Sequence, residues 1–263
     1  MRRRFFAPPE QFAPDGATVV LAREETQHLL NVLRLKAGDE AFVFDGAGRE
    51  YACVVAAPAR GGGRRAETLT LEVRGEVRPQ RPESPLDLTL AVALLKGEKF
   101  DTVVKKATEL GAWCIVPVET KRADVQLRRE GRDAGVRVAR WRRVALEAAK
   151  QSGRARLPEV CAPVAFEALL AGEGDARGVG EERRLFFTER GGRGLAETER
   201  EWPMRPARVT ALVGAEGGWD DEEIARASEA GWHAVTLGGR VMRAETAAIV
   251  VTGLLQHLYG DLV

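Results

Sequence analysis

A chain of 263 residues, 44% hydrophobic and 30% charged with a formal net charge of +1, has room for two modest domains and reads as an ordinary soluble globular protein. No run approaches the roughly 18 uninterrupted apolar residues of a membrane span. The segment from Met1 to Phe12 is charged and interrupted by Pro8-Pro9 before any signal-like apolar stretch, so a cytoplasmic location with no membrane partner is expected.

Cys53, Cys114 and Cys161 are far apart and odd in number, and His28, His233 and His257 are equally scattered. With no C-x-x-C pair, the expectation is reduced thiols, no disulfide framework and no metal.

The first ~75 residues read as mostly β. Ala17 to Leu21, Glu40 to Asp45, Glu50 to Ala56 and Thr68 to Arg74 are strand-like, with turn signals at Asp45-Gly46-Ala47-Gly48 and Gly61-Gly62-Gly63. One helix, Glu24 to Leu33, interrupts them, and its apolar residues at 29, 30, 32 and 33 predict a single buried face. Several short strands with one helix suit a small β-barrel over residues 1–77. Arg78 to Pro85 is a proline-rich connector, expected as the linker between two domains.

From residue 86 to residue 263 strand and helix signals alternate, which argues for a parallel α/β sheet. Strands are predicted at Leu86 to Leu94, Cys114 to Val118, Leu185 to Thr188, Val209 to Val213 and Ala234 to Leu237. Helices are predicted at Lys99 to Leu110, Val136 to Gln151, after a cap at Asp220 or Asp221, and at Ala244 to Leu258. In the second of these Trp141, Val144, Ala145 and Ala148 face inward, leaving Arg137, Arg140 and Arg143 outward. Between Lys121 and Arg156 twelve basic residues face four acidic ones, a local excess that suits phosphate. Residues 171–184 and 189–208 read as polar, Gly- and Arg-rich loops.

The densest signal lies from Leu212 to Ala248. It holds two glycine-rich turns, Gly214-Ala215-Glu216-Gly217-Gly218 and Leu237-Gly238-Gly239-Arg240, each after a β-branched run and before helix-like sequence. Glycine lets backbone amides approach a ligand closely or adopt positive φ. Two such turns at the ends of adjacent strands suit a small-molecule pocket at the edge of an α/β sheet. G-x-E-G-G followed by L-G-x-R-x-[LM]-R-x-E-T-A resembles the ribosomal RNA uridine-N3 methyltransferases of the SPOUT superfamily, which use S-adenosylmethionine. Weaker matches extend the resemblance over the rest of the chain: H-L-L-N-V-L-R-L-K-A-G-D from His28, and E-A-x-x-Q-S-G-R from Glu147 to Arg154.

The resemblance implies a PUA-like RNA-binding domain over residues 1–77 and a SPOUT methyltransferase domain over residues 86–263, with a deep trefoil knot from about Val209 to Val263. It implies a homodimer whose active site lies at the subunit interface, with small-subunit ribosomal RNA or the assembled 30S subunit as substrate. The E-A-x-x-Q-S-G-R stretch is expected near the active cleft. Three loops would hold the cofactor: Phe187, Thr188 and Glu189; Val213, Gly214, Glu216, Gly217 and Gly218; and Thr236, Leu237, Gly238, Arg240, Val241 and Met242. Thr246 would either bind cofactor or cap the last helix.

Uridine N3 must lose a proton, so the chemistry needs a base or a group that stabilises charge developing on O2 and O4. Arg243 is the residue expected to be essential. Glu245 and Glu216 are the carboxylates inside the motifs; either is the base or orients Arg243, and Glu245 equally suits a helix N-terminus. RNA contacts are expected from Arg3 and Arg4 beside Phe5 and Phe6, from Arg34, from Arg137 and Arg140, and from Arg154. His28 reads as structural. G-x-G-x-x-G is absent, which disfavours a nicotinamide enzyme. Two other readings stand beside the leading one: a SPOUT enzyme acting on ribose 2′-oxygen, and an RNA-binding assembly protein with a vestigial pocket.

Overall fold

The computed structural model describes residues 2–57, 68–123, 125, 134–172, 182–202 and 204–263. The Gly61-Gly62-Gly63 turn, most of the 171–184 loop and the centre of the basic segment, at 124 and 126–133, lie outside the described residues. The chain forms two compact units: Met1–Glu83 with Ala149–Leu157, and Ser84–Ala148 with Pro158–Val263.

The first unit carries strands β1 (Arg4–Phe6), β2 (Thr18–Leu21), β3 (Glu40–Phe44), β4 (Glu50–Val55) and β5 (Leu69–Val77). They pair in the order β1-β3-β4-β5-β2, antiparallel except β1 with β3. The sheet is a path rather than a ring: among the described residues no ladder joins β2 to β1. A register shift between Ala52 and Cys53 bends β4. Phe5, Val19, Leu21, Ala41, Val43, Cys53 and Leu71 fill the core from one face of the alternating strands, with Leu29 packed among them.

The predicted helix over 24–33 starts as α1 (Arg23–Gln27) and widens into a π-turn over His28–Val32, where Leu33 N–H donates to His28 O at 3.0 Å. The change of pitch breaks the expected apolar face. Leu29 is buried, but Val32 and Leu33 are exposed. Arg34 then takes φ 54°, letting Leu35 N–H reach Leu29 O at 3.1 Å and closing the helix.

The connector is hydrogen-bonded rather than bare. Gln80 N–H donates to Glu50 Oε2, and Glu83 accepts from Arg154 and from the amides of Ala155 and Arg156.

The second unit is a parallel sheet covered on both faces. Its strands are β6 (Asp87–Ala93), β7 (Cys114–Glu119), β8 (Glu159–Val160), β9 (Val164–Ala165), β10 (Glu182–Phe187), β11 (Arg193–Gly194), β12 (Arg208–Val213) and β13 (His233–Thr236). The order is β11-β13-β10-β12-β6-β7-β8, with β9 beside the end of β7. All five expected strands are present, with the two-residue β8, β9 and β11 added at its margins. The central strands are buried on both sides, as near-continuous apolar runs require. Alternate residues serve two cores. Leu88, Leu90, Val92, Val209 and Ala211 pack under α2 (Lys99–Glu109), α3 (Ala134–Ser152) and α7 (Ala244–Tyr259). Ala91, Val116, Phe186 and Leu212 pack under α4 (Phe166–Leu170) and α6 (Asp221–Glu229).

The polar reading of residues 189–208 needs correction. It contains β11 and the short α5 (Leu195–Arg200), held down by buried Leu195 and Thr198. One leucine is too little apolar signal to mark a helix in sequence.

Candidate functional site

Strands β13, β10 and β12 are neighbours and parallel, so their C-terminal ends open on one edge of the sheet. That edge is where open α/β sheets bind ligands. The loops leaving the three strands surround a cavity of about 460 Å³, with Ala244, Ala247 and Val251 of α7 as its remaining wall. Its volume falls within the range of about 300–1,000 Å³ usual for small-molecule sites.

The loops are tied to one another through Trp219. Its indole is buried against Phe186, with ring centroids 4.5 Å apart, and Nε1 donates to Phe187 O at 2.8 Å. Its own carbonyl accepts from Arg190, whose guanidinium also pairs with Asp221 at 2.9 Å. The Thr188 hydroxyl is spent inside its loop: it donates to Arg190 O and accepts from Arg190 N–H, both at 3.1 Å. The first and second loops are therefore joined by hydrogen bonds as well as by packing.

The second loop is also braced from outside. A Cβ on Gly217 would lie 2.9 Å from the carbonyl oxygen of Arg122, so only glycine permits this approach. Below it, α6 begins with a capping box: Asp220 accepts from Glu222 N–H, and buried Glu223 accepts from Asp220 N–H at 3.0 Å. Glu223 also accepts from Lys121 N–H at 2.9 Å, stapling the 120–123 turn to the helix. The amide of Glu222, followed by Lys121 and Arg122, holds the Asp220 carboxyl below its ordinary range.

The mouth of the cavity is charged. Glu216 and Glu189 line it, as do Arg240 and Arg243. Lys99 Nζ, from the first turn of α2, donates to Glu216 Oε1 at 2.7 Å, and that hydrogen bond raises the ammonium pKa. Arg243 is the N-cap residue of α7, exposed, and holds no ion pair among the described residues. Two residues on, Glu245 keeps Oε2 buried, with no hydrogen-bond partner among the described residues.

The comparisons with known proteins agree with this architecture. The family model for an RNA methyltransferase domain matches residues 82–256, and that for an RNA methyltransferase PUA domain matches residues 21–62. Ribosomal RNA small subunit methyltransferase E of Synechocystis sp. is 33% identical over 98% of this chain and 78% of its own length. The chain belongs to the ribosomal RNA small subunit methyltransferase E family.

Solved structures extend the match to the full length. The family's Neisseria gonorrhoeae protein, crystallised bound to S-adenosyl methionine, superposes with a TM-score of 0.82 at 29% identity, covering 100% of both chains. A Legionella pneumophila protein in complex with the bound cofactor SAM gives 0.81 at 29% identity, also over 100% of both chains.

All the residues expected to hold cofactor stand in the cavity wall except Gly217 and Thr246. Gly217 turns toward Arg122, and Thr246 is exposed on α7. Arg243 is in the wall, whereas Glu245 is not. Sequence reasoning missed Lys99, Trp219 and Arg190, which arrange the loops, and Ala247 and Val251, which floor the cavity. The last two were within reach, since Ala244, Ala247 and Val251 follow helical spacing from the third loop. Nothing in sequence links Lys99 to Glu216.

Among the RNA candidates Arg3 and Arg34 are exposed, Arg137 is half-buried, and Arg140 is exposed but paired with Asp101 and Glu98. Arg4 and Arg154 need correction. Arg4 is buried over the Phe44 ring, pairs with Glu50 and donates to Arg154 O; Arg154 is buried in its pair with Glu83. Both guanidiniums are consumed within the first unit, so neither presents charge to a phosphate.

Proposed function

We propose that this chain transfers the methyl group of S-adenosylmethionine to N3 of a uridine in small-subunit ribosomal RNA. The observation that carries the reading is the cavity at the ends of β10, β12 and β13 in a chain of this family. The residues present fit the cofactor. Phe187, Val213, Val235, Leu237 and Val251 give an apolar floor for an adenine, and the glycine turns of the second and third loops bring backbone to its edge. The bound cofactor supplies an electrophilic methyl on a sulfonium.

The chain supplies the rest. Trp219 and Arg190 keep the first two loops in register. Arg243, which holds no ion pair among the described residues, stands at the mouth to stabilise negative charge spreading onto O2 and O4 as N3 loses its proton. Glu245, two residues after Arg243, is the candidate proton acceptor in this reading by its position in the motif; its side chain lies outside the cavity wall with Oε2 buried, so it would have to turn toward the cavity to act. Glu216 is the weaker choice because Lys99 occupies it.

The same reading assigns residues 1–77 to RNA binding, 78–85 to the link and 86–263 to catalysis. Arg3, Arg34, Arg137 and Arg140 are its phosphate contacts. A trefoil knot over about Val209 to Val263 is part of it, supported by the return of the chain across β10 between β12 and β13. So is a homodimer that completes the site: Val241 lines the cavity and is 87% exposed, as suits an apolar side chain awaiting a second copy. The cytoplasm, where ribosomal RNA is found, is the place this reading assigns.

Incubation with labelled S-adenosylmethionine and either 30S subunits or free small-subunit ribosomal RNA, followed by nucleoside mass spectrometry, tests it. 3-Methyluridine is expected. Label on a ribose 2′-oxygen, or none on either substrate, would overturn it.

A further inference from the structure

We propose that Lys99 and Glu216 together form the subsite for the zwitterionic α-amino-acid end of the cofactor, an inference that rests on the S-adenosylmethionine reading. Lys99 stands at the start of α2 and Glu216 in the loop after β12, 117 positions apart in sequence. Their contact, Nζ to Oε1 at 2.7 Å, uses one ammonium proton and one carboxylate oxygen. The side chains remain 37% and 26% exposed, so further donors and the second oxygen are open.

An α-amino acid carries an ammonium and a carboxylate one carbon apart. Such a group docks antiparallel on a preformed ion pair, its ammonium on Glu216 and its carboxylate on Lys99. Every charge then has two opposite neighbours, and each new contact is a charge-assisted hydrogen bond. An isolated lysine or glutamate at the mouth would recognise half of this group and repel the other half.

Glu216 and Arg243 both line the cavity, which places the pair on its charged rim, and Lys99 also feels the opposite charge of Glu245 and the like charge of Arg243. The division of labour follows: Lys99 takes the carboxylate, and Arg243 stays available for the base. Glu216 lines the cavity directly, whereas Lys99 reaches the rim through its hydrogen bond to Glu216.

Two ligands separate this subsite from the rest of the pocket. S-adenosylhomocysteine keeps the amino-acid end without the sulfonium charge. 5′-Methylthioadenosine keeps adenosine and thioether but lacks the amino-acid end. By calorimetry on the full chain, Lys99→Ala and Glu216→Gln should each weaken S-adenosylhomocysteine about tenfold and change 5′-methylthioadenosine by less than about twofold. Lys99→Arg should retain most of the affinity, and Lys99→Gln should match Lys99→Ala, with melting temperatures close to the parent in all four variants.

Equal weakening of both ligands would assign Lys99 a merely structural role and overturn the proposal. Unchanged affinity for S-adenosylhomocysteine in Lys99→Ala and Glu216→Gln would do the same. If the parent protein bound neither ligand, the cofactor reading itself would fall, a result distinct from parent-like binding by the variants.

Discussion

Arg243 shows how one side chain's freedom bears on its role. It occupies the N-cap position of α7, yet its guanidinium is committed to no ion pair among the described residues. A structural arginine resembles Arg4 or Arg154 instead, buried with its carboxylate beside it. Arg243→Ala should therefore lower the single-turnover methylation rate by about 10²–10³ with cofactor affinity nearly unchanged, the usual cost of losing one preorganised donor. Lysine should rescue only part, since a point charge cannot reproduce the planar fork. A parallel loss of melting temperature and cofactor affinity would return Arg243 to a structural role. Gly238, at φ 68°, makes a different prediction. A Cβ there meets no atom within 4 Å, so strain alone opposes a side chain. Gly238→Val should cost about 1–3 kcal/mol of local strain and move the third loop, abolishing cofactor binding while circular dichroism stays unchanged. Cys53 is a third case. Burial pushes its thiol from 9.0 to about 12, so the folded state favours the protonated form. That contribution is full below pH 9.0 and is lost as pH rises toward 12. Disulfide reagents should label Cys53 at pH 8 only as fast as the first unit opens; labelling at the rate of a free thiol would contradict this.

Among the elements, α6 is the one whose beginning was written out most fully. Asp220 followed three residues later by Glu223 is a capping-box signature, and the structure forms both halves of it. The tie from Glu223 to Lys121 N–H was not legible, because it joins residues 102 positions apart. Glu223→Ala would leave two amides without their acceptor, a loss of about 1–3 kcal/mol. For a chain of this size that corresponds to a fall in melting temperature of roughly 2–4 °C per kcal/mol. Cofactor affinity should fall as well, since the 120–123 turn braces Gly217. A lower melting temperature with parent-like affinity would separate the brace from the pocket. The helix beginning at Arg23 teaches the opposite lesson. Its apolar spacing predicts one buried face, but the π-turn at His28 rotates Val32 and Leu33 into solvent. Periodicity assumes a constant pitch, and one extra residue in a turn defeats it.

Over the whole molecule, the reading as an RNA enzyme makes a claim about salt. Phosphate contacts release counterions, so affinity for ribosomal RNA should fall steeply with ionic strength. Arg137→Ala with Arg140→Ala should weaken binding to any RNA by a similar factor and reduce the log–log slope by about 1–2. Arg140 already pairs with Asp101 and Glu98, so a change near the lower end would place most of the effect on Arg137. An unchanged slope would remove this helix from the footprint.

What the sequence determined by itself is what depends on near neighbours along the chain. Strand and helix identities follow from apolar spacing within about ten residues. The two glycine turns and a cap at Asp220 or Asp221 are equally local, and for that reason nearly every expected cofactor residue reappears in one cavity wall. Tertiary structure alone decided which charges are neutralised and which remain free. Arg4, Arg154 and Arg243 are indistinguishable as letters. Glu50 and Glu83 take up the first two from 46 and 71 positions away, and the third lines the cavity with no ion pair among the described residues. Tertiary structure likewise set Lys99 on Glu216 and Trp219 on Phe187. A hydrogen bond requires atoms within about 3 Å, and only the packed sheet brings residues so distant in sequence that close.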